Sequence, residues 1–161
     1  MPRRFSKDER DRFLGGRHVA VLVTLGPDGG PVPTPIWYLF RDGAFYFRTE
    51  VNAIKTKNIQ RDPRVSICIQ KERPPYKAVI AHGRAQLEKS PDWLAKAIPR
   101  HYLGLVGAMG YEQAARSAIE SGPEIAIVVL PERFVTFDFT PETPVYGRLW
   151  LQLKRILPPW L

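Results

Sequence analysis

The chain has 161 residues, 44% of them hydrophobic, which is enough for one globular domain with a substantial core. Its 24 Lys and Arg residues exceed its 16 Asp and Glu residues and give a formal net charge of +8. The excess is spread along the chain, without a basic run, zinc-finger spacing or an RNA-binding aromatic motif, so a small anionic ligand is favoured over nucleic acid. A charged N-terminus, a single cysteine and the lack of an apolar run of about 20 residues indicate a cytoplasmic protein without a membrane span or an intramolecular disulfide.

The first forty residues predict a short helix and two strands. Ser6 and Glu9 match a capping box, and the helix that they open should end near Leu14, before two glycines. Residues 18–25 are rich in β-branched side chains and predict a buried strand. The next predicted strand, residues 31–40, begins with prolines at alternate positions, each of which removes a ladder donor. This strand should therefore be irregular at its start or lie at a sheet edge, where spare backbone groups could also serve a ligand.

A hairpin and a basic helix follow. Asp42-Gly43 supplies the positive φ of a tight turn, and residues 44–49 alternate as in a half-buried strand. Asn52 is the predicted cap of a helix over residues 53–62, which Pro63 ends. The start of this helix lies beside lysines, where unpaired N–H groups and the helix dipole both favour negative charge. The segment therefore predicts a site for a phosphate or a similar anion.

The second half of the chain begins with two further strands and a helical segment. Residues 64–70 and 76–88 predict the strands, with a bulge or a close backbone approach at Gly83. Residues 90–122 predict a helical insertion that opens at a Ser-Pro-Asp signal. Pro99 should kink or end its first helix, because proline lacks the N–H that an inner helical turn requires.

The rest of the insertion and the C-terminal region are predicted in four pieces. Residues 101–110 should be loose and rich in glycine, and residues 111–121 should be helical. Strands are expected at 124–130 and 133–139, joined around a proline. The tail, residues 140–161, contains several prolines and an amphipathic segment whose apolar face is suited to core packing.

These elements favour a mainly β architecture with inserted helices. About seven short antiparallel strands predict a barrel, since the early turns are too short for the crossovers of a doubly wound sheet. No hydrolase, zinc-protease or nucleotide-loop motif is present. His18, His82 and His101 stand far apart in the sequence and predict no metal site. Any chemistry is therefore expected to come from a bound cofactor.

Several stretches carry a family resemblance. They are the Pro-x-Trp strand at residues 35–37, the Asp-Gly hairpin, the run Lys55-Thr56-Lys57-Asn58-Ile59, its sequel Arg61-Asp62-Pro63-Arg64-Val65-Ser66, and the glycine-bearing strand at 81–85. This pattern, over about residues 15–140, resembles the split β-barrel flavin-binding family related to pyridoxamine 5'-phosphate oxidase. Within that family it is most similar to the deazaflavin (F420)-dependent oxidoreductases. The resemblance implies one split-barrel domain over residues 1–161, with its barrel core at 18–89 and 124–139.

The resemblance also implies a homodimer with cofactor sites at its interface. The residues implied for cofactor binding are Pro35, Ile36 and Trp37 beside the ring, and Thr49, Lys55, Lys57, Asn58 and Arg84 around the phosphate or the acidic tail. Arg48 is a further candidate for binding an anion. On an ideal helix Lys55 and Lys57 point about 200° apart, so both could serve only if Lys55 lies in the first turn.

The implied activity is hydride transfer from reduced F420 to an electron-poor alkene, imine or quinone-like acceptor. FMN as the cofactor, and a non-catalytic carrier of a flavin or of haem, are the alternatives. Tyr38, Tyr46 or water would supply a proton. The arginine-rich C-terminal substrate motif of pyridoxamine 5'-phosphate oxidase is not recognisable here, so activity on pyridoxamine phosphate is not expected. The insertion and the tail could cover the substrate pocket, extend the dimer interface or touch a membrane surface.

Overall fold

A computed structural model describes residues 3–117 and 123–140. In this part of the chain the helices are α1 (Lys7–Leu14), α2 (Ile54–Arg61) and α3 (Asp92–Ser117). The strands are β1 (Ala20–Leu25), β2 (Pro31–Ile36), β3 (Tyr38–Arg41), β4 (Ala44–Glu50), β5 (Arg64–Gln70), β6 (Lys77–Lys89) and β7 (Glu124–Asp138). Beyond residue 140 the predicted tail lies outside the described residues, as does the end of the helix predicted at 111–121.

The strands form one antiparallel sheet in the order β2-β1-β5-β6-β7-β4-β3. Its two edge strands, β2 and β3, are consecutive in the chain and are separated only by Trp37. The Cα atoms of Ile36 and Tyr38 are therefore at most about 7 Å apart, so the two edges must come together and the sheet must curl. This curled antiparallel sheet confirms the predicted mainly β fold with inserted helices.

The strand predicted at residues 31–40 is divided at Trp37 into β2 and β3, so a single strand there was wrong. The predicted edge position of its first part is confirmed, because β2 pairs only with β1 among the described strands. The three prolines of β2 occupy alternate positions, so their missing N–H groups all face the open edge. The backbone N–H groups of Val32, Thr34 and Ile36 face β1 instead and maintain the pairing with that strand. The proline pattern therefore costs no sheet hydrogen bond and blocks pairing with a further strand.

Alternate residues of the strands meet inside the curl. Leu22, Phe45, Phe47, Ile67 and Ile127 are fully buried there and belong to one apolar cluster. Burying a side chain of this size contributes about 1.5–3 kcal/mol relative to leaving it exposed. The strand predicted at 64–70 has the expected alternation, with its apolar residues inside and its polar ones outside.

The short-range signals for caps and turns are confirmed. Glu9 N donates to the Ser6 hydroxyl at 3.2 Å, and Ser6 N donates to the Glu9 carboxylate at 2.8 Å, which completes the capping box of α1. Asp42 and Gly43 have φ values of 52° and 79°, as the hairpin between β3 and β4 requires. Asn52 is not a cap, since α2 begins after Ala53 without a capping side chain.

The two strands predicted around Pro131 are one strand, β7. Its pairing with β6 shifts register between His82 and Gly83, and Gly83 lies opposite Pro131. This bulge accommodates the missing N–H of the proline, so the strand continues. A Cβ atom at Gly83 would lie 2.7 Å from the Leu130 carbonyl oxygen, which confirms the predicted close backbone approach.

The insertion differs most from its prediction. Pro99 lies inside α3 without ending it, and residues 101–110 are helical except at Gly104, where φ is 71° and ψ is −177°. Pro99 cannot donate to the Ala95 carbonyl, but Arg48 Nη1 does so at 3.0 Å. This tertiary hydrogen bond replaces the lost helical one. Although α3 is the longest described helix, neither it nor the others are apolar enough over a sufficient length to cross a membrane.

Candidate functional site

Trp37, at the junction of the two edge strands, lies against the insertion. Its ring stacks on Tyr102 of α3 with centroids 4.7 Å apart and planes within 6°, and Tyr111 lies 5.9 Å away. A cavity of about 220 Å³ opens here between the sheet and α3. The lining residues are Ile36, Trp37, Arg48, Ile98, Pro99, Tyr111 and Glu124. The structure therefore joins two of the predicted ring-binding residues, Ile36 and Trp37, in one concave surface, while Pro35 is exposed on β2 beside them.

The charges in this Trp37 cavity are paired. Arg48 Nε donates to the Glu124 carboxylate, and its Nη1 donates to the Ala95 carbonyl. The Arg48 side chain is 17% exposed and that of Glu124 is 36% exposed, so this ion pair lies partly in the wall. Since the guanidinium is neutralised within the protein, Arg48 is not a free anion ligand. The cavity suits a planar group without net charge.

Tyr102 holds the insertion to the sheet. Its hydroxyl donates to the His18 carbonyl and accepts a hydrogen bond of 3.2 Å from Tyr38 N, at the point where the chain passes from β2 to β3. Burial raises the pKa of Tyr102, which keeps it a neutral donor. Sequence reasoning missed Tyr102, Tyr111 and Glu124. The stretch that contains Tyr102 was predicted to be loose, and no local pattern reports contacts across more than 60 residues.

The start of α2 lies at the same end of β4. Lys55 Nζ donates to Thr49 Oγ1 at 3.2 Å, and Thr49 is the residue after Arg48. Ala53 offers no side-chain cap, while Thr56 Oγ1 donates to the Glu50 carbonyl at 2.8 Å instead of capping the helix. The first two N–H groups of α2 and the Lys55 ammonium therefore offer donors to an anion at this corner, which also carries the exposed Glu50 carboxylate.

The other residues predicted around the anion lie elsewhere. Lys57 is exposed, two positions further along α2. Asn58 is 2% exposed, donates to Thr24 Oγ1 at 3.0 Å and accepts from Arg61 at 2.8 Å, so its amide groups are occupied inside the protein. Arg84 pairs in register with Arg64, just past the C-terminal end of α2. At 1.5 Å per residue, the end of α2 is about 9 Å along the helix axis from Lys55.

Tyr38, considered for proton transfer, and His101, considered for metal binding, both have partners within the protein. Tyr38 is 1% exposed, its hydroxyl donates to the Leu14 carbonyl at 2.9 Å, and burial raises its pKa. His101 Nε2 lies 3.2 Å from the Gly16 carbonyl oxygen. Tyr46 lies outside the curl, edge-on to Trp93. Within residues 3–117 and 123–140 no three His, Cys, Asp or Glu side chains are grouped to hold a metal ion.

Comparisons with known proteins agree with this architecture. A family model described as pyridoxamine 5'-phosphate oxidase matches residues 6–137. A conserved hypothetical protein from Mycobacterium tuberculosis is similar in structure, with a TM-score of 0.72 and 23% identity over 87% of this chain and 89% of that chain. An FAD-binding protein from Mesorhizobium loti has a TM-score of 0.59 and 22% identity over 84% of this chain and 96% of its own. A protein described as an F420 reductase has a TM-score of 0.58 and 19% identity, covering 78% of this chain and 94% of its own.

Proposed function

This chain belongs to the pyridoxamine 5'-phosphate oxidase family, and we propose that it is an oxidoreductase that binds F420 and transfers a hydride to an electron-poor small organic acceptor. FMN is the alternative cofactor. One observation carries the proposal. The aromatic Trp37 cavity and the start of α2 lie at the same end of β4, where Arg48 lines the cavity and Thr49 accepts a hydrogen bond from Lys55. A flat ring with a phosphate-bearing tail needs both kinds of surface.

The residues present fit such a group. Ile36 and Trp37 would bind the ring by apolar contact, and Lys55, oriented by Thr49, would bind the phosphate together with the first N–H groups of α2. When bound, deazaflavin supplies the hydride. The contribution of the protein is to orient the acceptor and to exclude water, for which α3 forms a wall above Trp37. The paired Arg48 and Glu124 favour an acceptor without net charge.

The proposal includes a homodimer with the cofactor at its interface. Outside the curl, Val21, Cys68, Ile80 and Val135 form a row of half-buried small and apolar side chains in register across four neighbouring strands. An apolar row on an outer face of this kind is suited to pairing with a second copy. Light scattering that gives the mass of one chain at saturating cofactor would remove this part of the proposal.

A fluorescence-quench titration with oxidised F420 and with FMN, in parallel and at low salt, tests the cofactor. We expect tight binding of F420, followed by turnover in a screen of uncharged quinone-like and enone acceptors. Tight binding of FMN alone would replace the cofactor and keep the family assignment. Binding of F420 without turnover of any acceptor would favour a carrier. Binding of neither would contradict the assignment of the site.

Lysine variants locate the phosphate end of the site. Lys55→Ala should weaken cofactor binding by about 1–3 kcal/mol, because it removes a charge-assisted hydrogen bond. Lys57→Ala should have a smaller effect, since Lys57 is exposed and Lys55 is the lysine that bonds to Thr49. Lys7→Ala, at an exposed position of α1, is the charge-matched control. An unchanged dissociation constant for Lys55→Ala would separate the start of α2 from the cofactor.

A further inference from the structure

A second cavity, of about 290 Å³, lies where the connection between α1 and β1 meets the loop between β5 and β6. We call it the loop cavity. Its walls include Arg17, His18, Val19, Lys71, Glu72 and Arg73. At about 30 Å³ per water molecule it has room for about ten waters, or for a small organic ligand. None of these residues belongs to the site proposed for the cofactor.

The loop cavity has a surplus of positive charge. It contains three cationic side chains, Arg17, Lys71 and Arg73, and one carboxylate, Glu72. Among the described residues, none of the three cations lies within 4.0 Å of a carboxylate oxygen. The Trp37 cavity differs in this respect, because Glu124 neutralises its arginine. Unpaired cations around a concave surface concentrate the field and attract a multiply charged anion.

The backbone that carries these side chains is held in place. On one side of Arg17, the Gly16 carbonyl lies 3.2 Å from His101 Nε2 and accepts from His18 N at 3.1 Å. On the other side, the His18 carbonyl accepts from Tyr102, and the His18 ring stacks on Phe13 with centroids 4.5 Å apart. Across the cavity, Lys71 N donates to the Lys77 carbonyl at 2.8 Å and closes the loop between β5 and β6. The cations therefore converge from two anchored segments.

We propose that the loop cavity binds a phosphate-bearing small molecule. Two guanidinium groups and an ammonium match phosphate oxygens, since arginine offers paired donors and lysine a point charge. Val19 is 47% exposed on the same wall and provides an apolar surface for an organic part of the ligand. This inference does not rest on the proposed function, because no residue of the loop cavity is assigned to the ring or to α2.

Calorimetric titration with pyrophosphate at low salt tests the cavity directly. Wild-type protein should bind one pyrophosphate per chain in the loop cavity, besides any bound at the start of α2, which Lys55→Ala identifies. Lys71→Gln and Arg73→Gln should each weaken the cavity binding about tenfold, the loss expected for one charge-assisted hydrogen bond. Arg133→Gln, an exposed arginine on β7 outside the cavity, is the matched control and should bind as the wild type does. Circular dichroism melts identify any variant that fails to fold. Equal weakening in Arg133→Gln, or no binding by the wild type, would overturn the proposal.

The ring of His18 offers a second readout at the same place. Burial lowers the pKa of His18, and the neighbouring charges of Lys71 and His101 lower it further. Arg17, Glu72 and Arg73 are the other charged groups of this cavity. Pyrophosphate bound among these groups should raise the pKa of His18 in an NMR titration, because its negative charge favours the imidazolium. A His18 pKa that does not respond to saturating pyrophosphate would place the anion elsewhere and contradict the assignment.

A competition experiment separates two sources of the phosphate. Pyrophosphate is titrated into protein already saturated with F420 or FMN, whichever binds. Simultaneous binding supports the cavity and assigns it to a separate phosphorylated ligand. If pyrophosphate displaces the cofactor from wild-type protein but not from Lys71→Gln, the result also supports the cavity and identifies its anion as part of the bound cofactor. Displacement of the cofactor that is equal in wild-type protein and in Lys71→Gln would refute the proposed phosphate site in the loop cavity. Failure of F420 and FMN to bind would refute the proposed function alone, since the pyrophosphate arms require neither.

Discussion

The helices α2 and α3 flank the proposed site and are held to the sheet by different means. Besides the burial of Ile59 in the main apolar cluster, buried polar contacts fix α2. Buried Asn58 bonds to Thr24 of β1, and Thr56 bonds to the Glu50 carbonyl of β4. Apolar and aromatic contacts hold α3, with Leu94 and Ile98 buried in a small cluster of their own and Tyr102 stacked on Trp37.

This difference suits the two tasks that we propose. A phosphate is recognised by directed hydrogen bonds, so the helix that presents them needs a defined position and rotation. A wall over a planar group needs only shape and apolar surface, and α3 has a break at Gly104 followed by exposed Leu105, Val106 and Met109. Directed polar bonds therefore accompany the anion end of the site, and side-chain packing accompanies the ring end.

The largest expected effect comes from breaking the polar attachment of α2. Asn58→Ala removes the bonds to Thr24 and Arg61 and leaves the fully buried Thr24 hydroxyl without that partner. We expect the free energy of unfolding to fall by about 2–4 kcal/mol, measured by urea denaturation. Asn52→Ala, at an exposed position before α2, is the control and should be near neutral. A similar stability for both variants would show that α2 does not depend on this attachment.

The next largest loss of stability is expected from a substitution at the break in α3. Gly104 has a φ of 71°, and a Cβ atom added there would meet no neighbouring atom within 4 Å, so Gly104→Ala introduces backbone strain without a clash. We expect a loss of about 1–3 kcal/mol, or a straightened helix that no longer stacks Tyr102 on Trp37. Gly110→Ala lies in the same helix without positive φ and should be stabilising by about 0.5–1 kcal/mol. Urea denaturation and tryptophan fluorescence distinguish the two variants, and identical behaviour would contradict the role of Gly104.

The smallest effect is expected from one of the polar anchors of α3, the Tyr102 hydroxyl. Tyr102→Phe keeps the ring that stacks on Trp37 and removes the hydroxyl bonded to Tyr38 N and to the His18 carbonyl. We expect a loss of about 0.5–1.5 kcal/mol in the free energy of unfolding, with the tryptophan emission unchanged. Tyr111→Phe, which removes a hydroxyl from a tyrosine that is 42% exposed, is the control. A larger loss than in Asn58→Ala would reverse the comparison between the helices.

Local sequence patterns predicted much of the fold because they act within a few residues. The capping box at Ser6, the Asp42-Gly43 turn and the alternation of residues 64–70 have the structures that their chemistry favours. Pro99 was expected to kink or end its helix, but the helix continues past it because Arg48 supplies the donor that the proline lacks. Asn58 was assigned to a ligand through the family resemblance, and only the packing of α2 on β1 reveals Thr24 as its partner.

The sequence alone determined most of the strands, apart from the division at Trp37 and the continuity at Pro131, together with the order of the elements and the basic start of α2. Periodicity, turn residues and helix-breaking residues are properties of neighbouring positions. Tertiary structure decided which of these elements meet. The closure of the sheet at Trp37, the stacking of Tyr102 on that ring, and the pairing of Arg48 with Glu124 join positions that are far apart in the chain. Such contacts depend on how the sheet curls and on where the insertion lies, and no pattern within one segment encodes either.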